Sequence, residues 1–468
     1  MLRIPLSLLN LPFSPTPPIP NYLNLPAQDH LSTLPQELIE RILNYLQTSR
    51  ASLLACALTS PALLAGARHH LFHDATLDSS NKVYTLCKRL PNAPTALAHV
   101  HDLRVRLPAS PWSDTPEPAW YEDLDLPVLS GLHTLRLENI RGASFRGPRL
   151  CTWARVGESV RKLMLVSSMF EEAKDMRCLL AAFPALEDLS FDGWFPEDGA
   201  QMNKDKEPPI RLRLRNLALP AAGTRGAQNF LRWLSTEEYT KTQIRDLHTL
   251  TLHEAPEQTV LDKFFAQTSI QDLRVVISSR FPGKRKRSFL SNSILKRLAI
   301  ESHPDLSLLP SLRTFTLSLP ASSEITPFLV SLLGPLHDAP VLQRVHIELT
   351  TTPSDATASL SNFAIAPLAL ALAPLGSKIS DKADITLAIL IRWHPDPTPP
   401  LILRASADMP YMGGRKYAVR APVTVGAVPK AFGRDWMEGM KDAVVRTGGV
   451  QVKLGWEVVG KGGSINWV

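Results

Sequence analysis

Cysteine is scarce in this chain of 468 residues. Its four cysteines, Cys56, Cys87, Cys151 and Cys178, form no CxxC pair and are too few for a disulfide framework. Reduced thiols are therefore expected, with Cys56 and Cys87 as small core residues. Long apolar runs are absent as well. One long uncharged stretch, 356–376, holds two prolines and several Ser, Thr and Asn residues. A bilayer span needs about 20 predominantly apolar residues, so no membrane insertion is expected. No phosphate loop of the GxxxxGK[ST] type, no HExxH helix and no GxSxG elbow occurs. The expectation is a chain without catalytic residues, metal or cofactor; His69, His70 and His73 form the one histidine cluster and read as the close of a helix.

A strong charge of one sign is also missing. The net charge of +7 is modest for this length, and the basic residues are scattered. The exception is the run Lys284, Arg285, Lys286 and Arg287. Such a run serves as a nuclear-localisation signal, as a phosphate-binding patch, or as a solvated loop. Nucleic acid is not the expected partner, and the cytosol, the nucleus or both are the expected compartments. Apolar residues at 44% and charged residues at 20% are enough to build a folded core.

Proline is plentiful, with 40 residues against a usual share of about 5%. Seven of them fall in residues 1–29, which carry almost no charge and no periodicity. That segment resembles a secretory leader only superficially: Arg3 is its one basic residue before the apolar stretch, and Pro5 and Pro12 break that stretch. A disordered proline-rich tail is the expectation there.

From residue 30 the pattern changes. Pro35 suits the first position of a helix, and Glu37 falls in the first turn, where the helix dipole favours an anion. Leu38, Ile39, Ile42, Leu43 and Leu46 share one helical face. A second helix starting near Ser52 would carry Leu53, Leu54, Ala57 and Leu58. The pair Ser60-Pro61 then restarts the chain into a third, with Leu63, Leu64, Ala67 and Leu71 as its apolar face. Three short helices bury little surface alone, so a partner or neighbouring domain is expected.

The segment 30–78 resembles an F-box, the module that docks substrate receptors onto the Skp-type adaptor of cullin–RING ubiquitin ligases. The matching residues are Leu34-Pro35, Glu37-Leu38, Ile42-Leu43 and Leu46, then Leu53-Leu54, Ala57-Leu58-Thr59-Ser60 and His70-Leu71-Phe72. The resemblance implies adaptor docking through Leu34, Pro35, Leu38, Ile42, Leu43, Leu46, Leu54 and Leu58. The chain departs from the pattern after Ser60, where many members carry a basic residue and a tryptophan and this one has Pro61, Leu63 and Leu64.

From residue 100 a phrase recurs: an apolar residue, two mostly polar ones, then apolar, any, apolar. Its apolar positions are Val100, Leu103, Val105; Leu132, Leu135, Leu137; Val160, Leu163, Leu165; Leu186, Leu189, Phe191; and Leu214, Leu217, Leu219. Later copies are Leu247, Leu250, Leu252; Ile270, Leu273, Val275; Leu295, Leu298, Ile300; Leu312, Phe315, Leu317; and Leu342, Val345, Ile347. An eleventh, degenerate copy lies near Ile385 to Ile391. Successive central residues stand 17 to 33 positions apart. This resembles leucine-rich repeats, whose period is about 20–29 residues. The alternation puts two apolar side chains on one face of a short strand, and stacked copies share one core. Helical stretches are expected before several strands, as at 173–182 and 259–267. The asparagine usual after the strand is present only at Asn139, so an irregular solenoid is expected.

Three insertions look suited to recognition. One, 111–127, carries Trp112, Trp120 and Tyr121 among acidic residues. Another, 193–209, carries Trp194 and Phe195, and the third is the basic loop 280–288. The end differs: 435–445 reads as a helix, and Val450, Val452, Leu454, Trp456 and Val458 alternate as a strand, within an atypical capping unit.

The expected fold is thus α/β: a tail (1–29), a three-helix F-box-like module (30–78), a leucine-rich-repeat-like solenoid (79–392) and a cap (393–468). The resemblance implies a non-catalytic substrate receptor that binds a Skp-type adaptor, through it a cullin, and an unidentified protein target. The alternative is a repeat scaffold or nuclear interaction protein with no ligase role.

Overall fold

The computed structural model describes residues 34–89, 94–108, 121, 124–145, 148–197, 212–220, 224–236, 244–253, 256–276, 306–320, 341–351, 386–393, 451–458 and 466–467. Pro35 opens the first element. Its extended ψ of 142° makes it the N-cap and not the first helical residue, and its carbonyl accepts from the N–H groups of Leu38 and Ile39. Helix α1 then runs Gln36–Leu46, with Glu37 in its first turn. Ser49 caps α2, Arg50–Thr59, by accepting a bond from the N–H of Ser52. Pro61 cannot continue α2, because it lacks an N–H and its ring clashes with the preceding turn. Ser60 is accordingly extended, and its hydroxyl accepts from the N–H of Ala62 as α3, Pro61–His73, begins.

The three helices close on one small core of Ile39, Leu43, Leu53, Leu63, Ala67 and Leu71, with Leu34, Leu46, Leu54 and Phe72 packed against it. Gly66 of α3 is what lets α1 approach, since a Cβ there would lie 2.4 Å from the buried side chain of Leu43.

The chain divides into two units between His73 and Asp74. The second unit is built on a sheet of thirteen strands whose spatial order is their sequence order. They are β1 (Asp74–Leu77), β2 (Asp102–Arg106), β3 (Thr134–Glu138), β4 (Lys162–Met169), β5 (Asp188–Trp194) and β6 (Asn216–Leu219). Then come β7 (Thr249–His253), β8 (Asp272–Val276), β9 (Thr314–Pro320), β10 (Arg344–Thr351), β11 (Thr386–Trp393), β12 (Gln451–Val458) and β13 (Asn466–Trp467). Every pairing from β1 to β12 is parallel, and only β13 turns back antiparallel.

The register explains the repeated phrase. Its central residues stand side by side: Leu103, Leu135, Leu163, Leu189, Leu217, Leu250, Leu273, Phe315 and Val345. All nine are at most 2% exposed, and the leading residues from Val100 to Leu342 are buried where the chain turns into each strand. Between those two positions the backbone extends the ladder by one more bond, as from the N–H of Arg161 to the carbonyl of His133. β1 is a strand the phrase misses, because Ala75 occupies the central place: Ala75 pairs with Leu103. The copy around Leu298 lies outside the described residues, and β8 pairs directly with β9. β11 lies at the degenerate eleventh copy, and β12 adds a further parallel strand to the ladder. The stretch 435–445 lies outside the described residues.

Connections vary. A short helix, α4 (Ser80–Tyr84), a π-helical turn (Thr85–Arg89) and α5 (Pro94–Ala98) precede β2. Longer helices precede β4 (α6, Pro148–Gly157), β5 (α7, Ala173–Ala181), β7 (α8, Arg225–Thr236) and β8 (α9, Gln258–Phe265), and the described residues just before β9 include a 3₁₀ turn, Leu306–Leu308. No helix among the described residues is long and apolar enough to cross a membrane.

Asn139 directly follows β3 with φ 59°, a conformation that asparagine tolerates far better than most residues. Its amide nitrogen donates to the carbonyl of Leu107 at 3.0 Å, and its own N–H donates to the carbonyl of Val166, so one residue ties the end of β3 to the chain just after β2 and to the middle of β4. Asn139→Ala should cost about 2 kcal/mol, from a lost hydrogen bond and left-handed strain, and Asn139→Gly about half of that. Chemical denaturation of the two variants measures the difference.

Candidate functional site

The α1 stripe read from the sequence is split by the fold. Ile39 and Leu43 turn inward at 4% and 1% exposure, while Leu38 at 46% and Ile42 at 40% stay outside. Leu43 is therefore corrected from an adaptor-docking residue to a core residue: one step along a helix rotates a side chain by about 100°, which carries it from the outer edge to the inner. Leu34, Leu46 and Leu54 are half-buried against that core, and Pro35 is exposed. Tyr45, which the sequence reading missed, is 78% exposed and extends the outer stripe as Leu38, Ile42, Tyr45 at helical spacing. Leu58 on α2 is 75% exposed. Of the large apolar side chains exposed among the described residues, these four belong to the first unit, whose own core is only six residues deep. On α3 the rings of His69 and His73 meet edge-on, 5.6 Å apart.

Two aromatic residues expected at a recognition surface are core residues instead. Tyr121 is 1% exposed and Phe195 is fully buried. Phe195 packs on Phe191, Phe230 and Trp233, because the chain leaving β5 folds under α8. Trp194, at the end of β5, is half-buried. Trp112, Trp120 and the run Lys284, Arg285, Lys286 and Arg287 lie outside the described residues.

Polar groups gather on the solvent side of the sheet. Glu138, the last residue of β3, is 5% exposed and accepts bonds from Arg104 (2.7 Å) and Arg136 (2.5 Å), with Arg106 at 3.6 Å. Glu348 on β10 is 4% exposed and takes Arg274 from β8 at 3.4 Å. Between them, burial raises the Asp192 carboxyl, while burial and then Arg274 lower the His253 imidazole. Burial and then Asp125 push the Cys87 thiol up to about 11, so it is no nucleophile at neutral pH.

No family model matches the chain, and no curated protein matches it.

Burial alone would raise the Glu138 carboxyl, but the bonds from Arg104 and Arg136 outweigh it and hold the group below the ordinary glutamate range. A carboxyl lowered on folding stabilises the native state above its unfolded value and loses that contribution as pH falls through the folded one. Glu138→Gln should therefore flatten the decline of melting temperature on acidification below about pH 4.5. Calorimetry from pH 6 to pH 3 checks it, and an unchanged slope would count against the pairing.

Proposed function

We propose that this protein is the substrate-recognition subunit of a Skp–cullin–F-box ubiquitin ligase. In this reading the first unit is an F-box that docks a Skp-type adaptor. The sheet-bearing unit is an irregular leucine-rich-repeat solenoid that holds a protein target. The chain itself catalyses nothing: it raises the effective concentration of a bound target near a ubiquitin-charged enzyme recruited through the cullin.

The observation that carries the reading is the outward stripe of Leu38, Ile42 and Tyr45 on a three-helix unit whose sequence resembles an F-box. A module this small has little apolar surface to spare, so leaving three large side chains outside argues for a partner that covers them. Strands in strict sequence order, each carrying the same inward residues, support the repeat reading of the body. The docking set becomes Leu34, Pro35, Leu38, Ile42, Tyr45, Leu46, Leu54 and Leu58, with Ile39 and Leu43 supporting them from beneath. The cytosol or nucleus, where such ligases operate, is the proposed compartment.

The test is co-expression of the full chain with a Skp-type adaptor and cullin, followed by purification through a tag on the chain. Stoichiometric recovery of the adaptor is expected; its absence would reject the ligase role in favour of a scaffold without one.

A further inference from the structure

The solvent face of the sheet holds a charge arrangement that adaptor docking does not use. Arg104 and Arg106 of β2 and Arg136 of β3 surround the one carboxylate of Glu138, and their side chains are 40%, 40% and 38% exposed while that of Glu138 is 6% exposed. Glu138 thus lies at the floor of the cluster with the guanidinium groups above it. Guanidinium groups stay charged at any physiological pH, and each carries five N–H donors. One carboxylate cannot balance three of them. The Nε of Arg104 is buried and has no hydrogen-bond partner among the described residues. Three guanidinium groups around one carboxylate leave a local excess of positive charge that a further anion would offset.

We propose that Arg104, Arg106 and Arg136 bind an anionic group, a phosphate ester or paired carboxylates, on an acidic segment of a partner protein. The neighbours define the segment further. Next in register to Arg136 and Glu138 stand Met164 and Val166 of β4, both half-buried, so an apolar residue beside the anionic one is accommodated. The surroundings favour a peptide over nucleic acid. A polyphosphate backbone calls for a basic stripe, but the outward row continues from Arg136 as Met164, Ser190, Ala218 and Thr251 before reaching Arg274. The proposal rests on the receptor reading only in taking the occupant to be a protein.

The experiment passes the full-length protein over three immobilised peptide libraries that share degenerate flanks and differ in a fixed centre: phosphoserine, Glu-Glu or Ser-Gly. Retention on phosphoserine or Glu-Glu above Ser-Gly is expected, and the stronger of the two identifies the anion. Arg104→Gln with Arg136→Gln should lower retention at least tenfold. Glu138→Gln, which removes the internal competitor, should raise it, an effect that a purely structural role for the cluster would not produce. Should the double glutamine variant fail to fold, Arg104→Lys with Arg136→Lys keeps the charge, loses the fork and should retain less than wild type. Equal retention on all three libraries, wild-type retention by the folded double variant, or equal displacement by a single-stranded oligonucleotide would overturn the proposal. Adaptor capture from the same preparations separates the two ideas. Lost peptide binding with capture intact overturns this site alone, and lost capture with peptide binding intact overturns the receptor reading alone.

Discussion

Replacing Leu38 and Ile42 together by aspartate is expected to abolish capture of a Skp-type adaptor while leaving the fold in place. Both side chains are on the outside of α1, at 46% and 40% exposure, and neither belongs to the core of the first unit. Exposed substitutions of this kind usually change stability by within about 0.5 kcal/mol. Both are already more than half covered, so burying the remainder in an interface contributes about 0.7 kcal/mol each at the lower end, and their loss weakens binding by roughly tenfold before the charges are counted. Tyr45→Ala should act in the same direction. The contrast is Leu43→Ala, one residue along from Ile42: at 1% exposure it should unfold the module and lose the adaptor for that reason. Adaptor pull-down read beside circular dichroism distinguishes the two routes. A double aspartate variant that captures the adaptor as wild type does would end the ligase proposal.

The second large effect is expected from Phe230→Ala. Phe230 is fully buried in α8 and lies 4.6 Å from Phe191, 5.5 Å from Phe195 and 5.7 Å from Trp233, between ring centroids. Truncating a phenylalanine in such a place costs about 3–5 kcal/mol, the upper end applying where the walls cannot collapse. Here α8 and β5 are already in close backbone contact near the site. Gly193 of β5 is so close to β4 that a Cβ on it would lie 2.1 Å from the carbonyl oxygen of Ser168, and Gly226 of α8 is pressed against Gly193 in turn. The upper end is therefore expected. Because each strand pairs only with its sequence neighbours, the loss of amide-exchange protection should centre on β5 to β7 and leave β2 and β3 protected. Uniform loss over the sheet would contradict that local picture.

The strands were legible in the sequence because alternation on a strand is a short-range signal: Leu103 and Val105 need only one buried face to be read. β1 escaped because Ala75 is too small to register as a central apolar residue, although Phe72, Ala75 and Leu77 keep the spacing. Which half of the α1 stripe faces inward was not legible. Five apolar residues spread over a wide arc, and only the positions of Leu53, Leu63 and Ala67 decide that Ile39 and Leu43 go in while Leu38 and Ile42 stay out. Tyr121 and Phe195 were misread for a related reason. An aromatic in a long insertion looks like an exposed anchor until the residues above it are known, and for Phe195 those come from α8. The Arg104–Arg136–Glu138 cluster joins residues 34 positions apart, so it emerges only from the register of β2 against β3.

That register also bears on how such a chain can grow. Paired central residues are separated by as few as 23 positions, between Leu250 and Leu273, and by as many as 65, between Leu387 and Val452. Lengthening a flexible connection from the first figure to the second adds only about 0.9 kcal/mol of closure entropy. Insertions between strands therefore leave the ladder nearly undisturbed. New surface can be added one connection at a time, without any strand having to find a different neighbour.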